Sequence, residues 1–218
     1  MMAKTYITIQ GNIGSGKSTL VNVLNEKYKN DKRVCFLQEP VNIWDTITDE
    51  NGTTILELYY KDQKKYAFSF QMMAYISRLS SLKKAISEGY DIIIAERSLE
   101  TDKNVFAQMI YDDKNINEVE FNIYLKWFEE FQEDIPEEQI VYLRTSPHVA
   151  MNRIKKRGRV GENIPFEYIE KCHNYHEKWL CNKIPPPNIL FLNANDDHIQ
   201  NPFIIESWTE EIAVFAGL

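Results

Sequence analysis

The chain has 218 residues, 44% of them hydrophobic and 26% charged, and carries a net charge of −7. That balance suits one compact domain with its own core and excludes a nucleic-acid binder that is basic throughout. No apolar run approaches the ~18 residues of a membrane span, and Cys35, Cys172 and Cys181 form no paired framework, which fits free thiols in a reducing compartment.

Residues 6–10 are a short apolar run, read as a buried strand ending at Gly11. It starts so near residue 1 that this reading leaves no room for a signal or transit peptide. Gly11, Asn12, Ile13, Gly14, Ser15, Gly16, Lys17 and Ser18 then match G-x-x-x-x-G-K-[ST] in full. Glycines there let successive backbone N–H groups turn inward onto phosphate oxygens. Lys17 brings a point charge to the β- and γ-phosphates, and the Ser18 hydroxyl is a Mg²⁺ ligand. Residues 19–26, from Thr19 onward, have helical apolar spacing, and that helix aims its positive end at the same anion. Strand, glycine loop and helix together predict nucleotide binding by residues 11–19.

Residues 33–38 read as a second strand, followed by Glu39-Pro40-Val41. Residues 64–88 form a long helix with an apolar stripe at Tyr66, Phe70, Met73 and Ile76, stopped by Gly89. Residues 90–95 are a third strand, followed by Glu96-Arg97-Ser98. A helix over 118–133, a fourth strand over 139–144 and a helix over 166–180 come next. Three prolines at 185–187 precede a fifth strand over 188–193, and 204–215 is a closing helix. Near-continuous apolar strands alternating with helices predict an α/β fold, a doubly wound parallel sheet of five strands with helices on both faces, as one domain over 1–218. Such sheets bind ligands beyond the carboxyl ends of their strands. The positions to inspect are therefore the glycine loop, Glu39, Glu96-Arg97 and Arg144-Thr145.

Three segments, Glu39-Pro40-Val41 with Trp44, Phe68-Ser69-Phe70-Gln71 with Arg78, and Glu96-Arg97-Ser98 with Asp102, resemble in order and spacing the deoxynucleoside kinase family, and within it the deoxycytidine and deoxyguanosine kinases. The resemblance runs from the first strand to the fifth. It implies the P-loop kinase fold and transfer of the γ-phosphoryl of ATP, or another nucleoside triphosphate, to the 5′-hydroxyl of a deoxynucleoside, with Mg²⁺. Glu39 is the expected general base beside that hydroxyl and Glu96 the carboxylate near the metal; the sequence does not separate the two roles. Arg97 is expected against the 5′-oxygen and the developing phosphate charge, with Lys17 completing the catalytic set.

The resemblance also implies an arginine lid over about 153–164, with Arg153, Arg157 and Arg159 on the triphosphate. It places Tyr60 and Glu162 at the sugar 3′-hydroxyl, Gln71 at the base edge, and Phe70, Phe106, Trp44 and Leu56 around the base. The stretch between Arg159 and Ile164 is one residue shorter than in the animal enzymes. Arg78 and Asp102 stand where the thymidine-preferring branch has apolar residues, which predicts deoxycytidine and purine deoxynucleosides over thymidine. Tyr59 replaces the methionine of deoxycytidine kinase. A homodimer built on the long helices, feedback inhibition by an end-product triphosphate and a cytoplasmic location are implied likewise.

Two other readings stay open. A nucleoside-monophosphate kinase of the thymidylate kinase kind shares loop, sheet and lid, but Gln38 stands where such enzymes place an arginine before Glu-Pro. A non-catalytic protein retaining the kinase fold has no need of Lys17, Ser18, Glu39 and Glu96 together. Cys172, His173, His176 and Cys181 lie on or just after one helix, which cannot close a zinc tetrahedron, so they are read as packing. His198 is read either as a stacking partner for the donor base or as a loop histidine.

Overall fold

The protein is described from a computed structural model covering residues 5–132, 135–159, 162, 164–181, 188–196 and 201–218. Strands β1 (Thr5–Gln10), β2 (Val34–Leu37), β3 (Ile92–Glu96), β4 (Glu138–Arg144) and β5 (Ile189–Asn193) form one all-parallel sheet in the order β2-β3-β1-β4-β5. The strands are apolar on both faces because both are covered. Ile7 and Ile9 pack with Leu20, Leu24, Val141, Leu143, Trp208 and Ile212 on one side, while Tyr6 and Ile93 pack with Leu82 and Ala85 on the other. This is the expected α/β architecture, with each strand within two residues of its predicted limits.

Helix α1 (Lys17–Tyr28) follows the glycine loop, and the short helices α2 (Val41–Trp44) and α3 (Ile55–Lys61) follow β2. The long helix α4 (Gln63–Ser87) leads to β3. Helix α5 (Leu99–Thr101) runs through a π-helical turn, Asp102–Ala107, into α6 (Gln108–Asp112), and α7 (Glu118–Glu130) leads to β4. Helices α8 (Pro147–Arg157) and α9 (Phe166–Leu180) cross to β5, and α10 (Pro202–Ala216) closes the chain. Residue 133, the expected end of α7, lies outside the described residues, as do residues 185–187 and His198. Among the described residues no helix is long and apolar enough to cross a membrane.

One expectation fails in part, in α4. Its predicted apolar stripe is only partly the buried face: Tyr66, Phe70 and Met73 pack against Trp44, Ile55 and Ala74, but Ile76 is 39% exposed, and Ala67, Gln71, Ala74, Arg78, Leu82 and Ala85 are among the buried positions. The helix buries Gln71, Ser77 and Arg78, and part of its inner face lines a cavity rather than a core. The chain leaves β1 towards β2 and leaves β3 towards β4, in opposite directions across the sheet. Parallel strands that part in this way open a crevice at their carboxyl ends. The glycine loop follows β1 there, and Glu96-Arg97 ends β3 directly beside it.

Candidate active site

A cavity of about 970 Å³ fills that crevice, at the upper end of the volumes typical of small-molecule sites. Its floor is the glycine loop. Gly11 and Gly14 both have positive φ, at 145° and 77°, where side chains are strained. A Cβ at Gly14 would also fall 2.5 Å from the Ala150 carbonyl of α8. Asn12 ties the loop down by donating Nδ2 to Ile169 O at 2.8 Å. Lys17 folds back onto Asn12 O at 2.8 Å. Burial and the nearby Arg97 push its amine down to about 7, against the pull of Glu96 and Glu39. The Ser18 hydroxyl donates to Glu96 Oε1 at 2.8 Å.

Above the loop stand two acids and two arginines. Arg97 has a left-handed φ of 64°, held by its backbone N–H on Ile9 O at 3.1 Å. Its side chain donates Nε to Glu39 Oε1 and Nη1 to Gly11 O, each at 3.1 Å, and lies 4.9 Å over the Phe106 ring. Arg78 donates Nε to Asp102 Oδ2 at 2.9 Å, Nη1 to Glu96 O at 2.9 Å and Nη2 to Glu39 Oε1 at 3.3 Å. Burial opposes ionisation of Glu39, but Arg97, Arg78 and Lys17 outweigh it and hold its carboxyl below the usual range. Burial likewise disfavours the charge on Arg78, and Asp102 and Glu39 more than restore it.

At the far end of the cavity lie aromatic walls. Trp44, held by Nε1 on Ser77 Oγ at 2.9 Å, meets Phe70 edge-on at 5.3 Å, and Tyr59 stacks on Phe70 at 4.8 Å. The Gln71 amide donates to Asp102 O at 3.2 Å, a carbonyl in the π-helical turn. Leu56 and Tyr60 complete the lining. A glycine-loop floor, an ionic middle and an aromatic slot make up the cleft.

The deoxynucleoside kinase family model matches residues 7–215. The chain belongs to the deoxynucleoside kinase family. It is 36% identical over 205 residues to a probable deoxycytidine kinase of fowlpox virus, covering 89% of this chain and 81% of that one. It is 34% identical to deoxycytidine kinase 2 of Gallus gallus, covering 96% and 89% of the two chains. With the mitochondrial deoxyguanosine kinase of Xenopus laevis the identity is 27%, over 97% and 90%. The protein is thus an enzyme, a kinase that uses a nucleoside triphosphate to phosphorylate a deoxynucleoside.

In this deoxynucleoside kinase the three arginines expected in a lid differ in state. Arg153 is committed to backbone, with Nη1 on Ser15 O at 3.2 Å and Ala194 O at 2.8 Å and Nη2 on Asp196 O at 2.7 Å. Arg157 forms a two-pronged bond to Glu162, at 2.6 and 2.5 Å. Arg159 lines the cavity, while lid residues 160, 161 and 163 lie outside the described residues. Of the residues expected at the ligands, Gly11, Asn12 and Ser15 back the loop and the others border the cavity. Sequence reasoning missed Tyr168, whose hydroxyl meets Tyr59 OH at 3.1 Å on the cavity wall; a tyrosine on an amphipathic helix carries no signal that separates lining from packing. Cys172 and His176 are both buried, with His176 Nδ1 against Cys172 O at 2.6 Å rather than against sulfur.

Proposed function

We propose that the enzyme transfers the γ-phosphoryl of ATP to the 5′-hydroxyl of deoxycytidine and of purine deoxynucleosides in preference to thymidine. The carrying observation is the buried Arg78–Asp102 pair beside Gln71 at the aromatic end of the cavity. The pair takes the volume that a thymine methyl needs and satisfies itself by charge-assisted bonds. The Gln71 amide offers a donor and an acceptor to one base edge, which suits cytosine and adenine, between Phe70 and Phe106.

Glu39 acts as the general base. Both arginines bond its Oε1, which leaves Oε2 for the substrate hydroxyl. The 5′-oxygen attacks the γ-phosphorus as its proton passes to Glu39 Oε2, and the bond to the β-phosphate oxygen breaks. A carboxylate held ionised by arginine is a weak base, and a loose phosphoryl-transfer transition state needs positioning more than base strength. Arg97 steadies the charge on the transferred group. Lys17 leaves Asn12 O for the triphosphate, whose charge keeps the amine protonated.

Ser18 and Glu96 present two hard oxygens at the mouth of the loop, a donor set that suits Mg²⁺ with water in its remaining positions. They would hold that ion, which supplies neutralisation of phosphate charge when bound. Arg157 and Arg159 close on the phosphates, and Tyr60 and Glu162 take the 3′-hydroxyl. A homodimer is supported by exposed apolar residues on the long helices, Ile76 on α4 and Val119, Ile123 and Trp127 on α7. Feedback inhibition by a deoxynucleoside triphosphate and a cytoplasmic location remain part of this reading.

Labelled ATP offered with deoxycytidine, deoxyadenosine, deoxyguanosine, thymidine and deoxycytidine monophosphate tests it. Transfer to the first three above thymidine is expected. Thymidine matching deoxycytidine overturns the base preference. Transfer to the monophosphate alone makes the enzyme a monophosphate kinase.

A further inference from the structure

A closed network of buried polar side chains lies on the sheet face opposite Ile7 and Ile9. Glu138 opens β4, register-paired with Tyr6. Its Oε1 accepts from the Thr8 hydroxyl and from Gln10 Nε2, the latter at 3.0 Å. Gln10 Nε2 also lies 2.9 Å from Thr8 Oγ1 and 3.0 Å from Ser98 Oγ, and Gln10 Oε1 accepts from the Thr101 hydroxyl. Ser98 and Thr101 cap one another, with Ser98 N on Thr101 Oγ1 at 3.1 Å and Thr101 N on Ser98 Oγ at 3.2 Å. Thr8, Gln10, Ser98 and Thr101 are at most 1% exposed.

The position of this network gives it consequence. Ser98 directly follows Arg97, and Thr101 directly precedes Asp102. The capped turn therefore carries at its two ends the groups that hold Glu39 and Arg78. We propose that Glu138 is a positioning residue for phosphoryl transfer: as a carboxylate it orients the Gln10 amide, which holds the Thr101 hydroxyl and so the turn bearing Arg97 and Asp102. This rests on the reading that Arg97 and Asp102 serve the reaction.

The donors around Glu138 favour its ionised form. A carboxylate accepts on Oε1 from the Thr8 hydroxyl and one Gln10 amide hydrogen and also bonds the Ser98 hydroxyl, leaving Gln10 Oε1 for Thr101. Protonation on the other oxygen leaves Oε1 able to accept, but the added O–H must find an acceptor of its own. It then competes with the Ser98 hydroxyl, whose Oγ belongs to the capped turn. A buried hydroxyl left without a partner is unfavourable, so the capped turn loosens. Glu138 has no ion pair among the described residues. Neutral groups hold it, and the charged or titratable neighbours acting on it are Glu100 of α5 and Tyr6 of β1. Burial lifts its carboxyl to about 7, against the bonds from Thr8, Ser98 and Gln10.

The test is kcat against pH with donor and deoxynucleoside both saturating. Saturation matters because Lys17 titrates in the same range in the empty enzyme, with the opposite sign, and bound triphosphate removes it from the profile. Wild-type kcat should fall about tenfold as pH drops through about 7, a loss in keeping with a small displacement of reacting groups. Glu138→Gln should stay at the low plateau, flat across that range. Thr101→Val, which cuts the relay at its far end, should lower kcat at about pH 8 by a similar factor. A ¹³C-carboxyl titration of Glu138 should give a midpoint of about 7. Superimposed wild-type and Glu138→Gln profiles, unchanged kcat in Thr101→Val, or a carboxyl titrating in the ordinary glutamate range each overturn this inference alone. A wild-type enzyme that phosphorylates no deoxynucleoside overturns the reading of the site, and the proposal with it.

Discussion

Arg78 donates to Glu39 at 3.3 Å while gripping Asp102 at 2.9 Å, so one guanidinium joins the base-reading end of the cleft to the hydroxyl-activating end. With the roles proposed for Gln71 and Glu39, substrate choice and turnover are coupled through it. Arg78→Met with Asp102→Ala should raise the thymidine-to-deoxycytidine ratio of kcat/KM by about 10- to 100-fold. The same double variant should lose about tenfold in kcat on every substrate, since Glu39 keeps only Arg97. Steady-state kinetics on four deoxynucleosides checks both; an unchanged ratio refutes the pocket assignment.

Glu39→Gln removes the proposed proton acceptor and keeps the shape. Its kcat should drop about 10²- to 10⁴-fold. Glu96→Ala should also abolish turnover. Triphosphate affinity, read by calorimetry, should hold in both, because backbone supplies most of the cradle. Arginine holds the Glu39 pKa below the usual carboxylate range, so wild-type kcat/KM should keep its Glu39-dependent part down into that range. It should be lost only as pH falls through the lowered value.

The ion pair of Arg157 with Glu162 occupies both partners before any ligand arrives. The Glu162 side chain is 5% exposed and that of Arg157 37%, so the pair is partly screened and worth under about 1 kcal/mol. Glu162→Gln should tighten triphosphate binding to the nucleoside-free protein by about two- to fivefold. It should also raise the deoxynucleoside KM by about tenfold, through loss of the 3′-hydroxyl acceptor. Triphosphate affinity that stays put would show that Arg157 does not meet the phosphates.

His176 is fully buried beside Tyr142, their rings parallel with centroids 6.1 Å apart, and its Nε2 has no partner among the described residues. Burial and the distant charge of Arg97 lower its pKa from 6.5 to about 3. Below 6.5 the unfolded chain therefore binds a proton that the folded chain refuses, and stability falls with pH until about 3. The loss attributable to this ring between about pH 8 and 5 is about 2 kcal/mol. His176→Phe should flatten that part of the curve; chemical denaturation at both pH values measures it.

The glycine loop was legible in the sequence because backbone conformation, not side-chain context, dictates its residues. Glu39 and Glu96-Arg97 were legible because parallel strands deliver their ends to one crevice. Helix α3 was missed although Thr54 and Glu57 form a capping box, a spacing visible in the sequence. On α4 the apolar spacing wrongly took in Ile76, while Gln71 and Arg78 were placed in the cleft by the family resemblance and not by periodicity, which treats polar residues as outward-facing. The Glu138 network escaped for a related reason: Thr8 and Gln10 sit in a run read as a buried strand, and two buried polar side chains on one face should have prompted a search for their partners.

The π-helical turn from Asp102 to Ala107 fits one more residue into its coil than an α-helix would. Deleting a single residue there would let the coil return to ordinary winding while the helix downstream kept close to its present phase. The wide turn thus carries a length change locally, and a one-codon deletion within it should disturb the cleft less than the same deletion in α4, where nothing absorbs the lost residue.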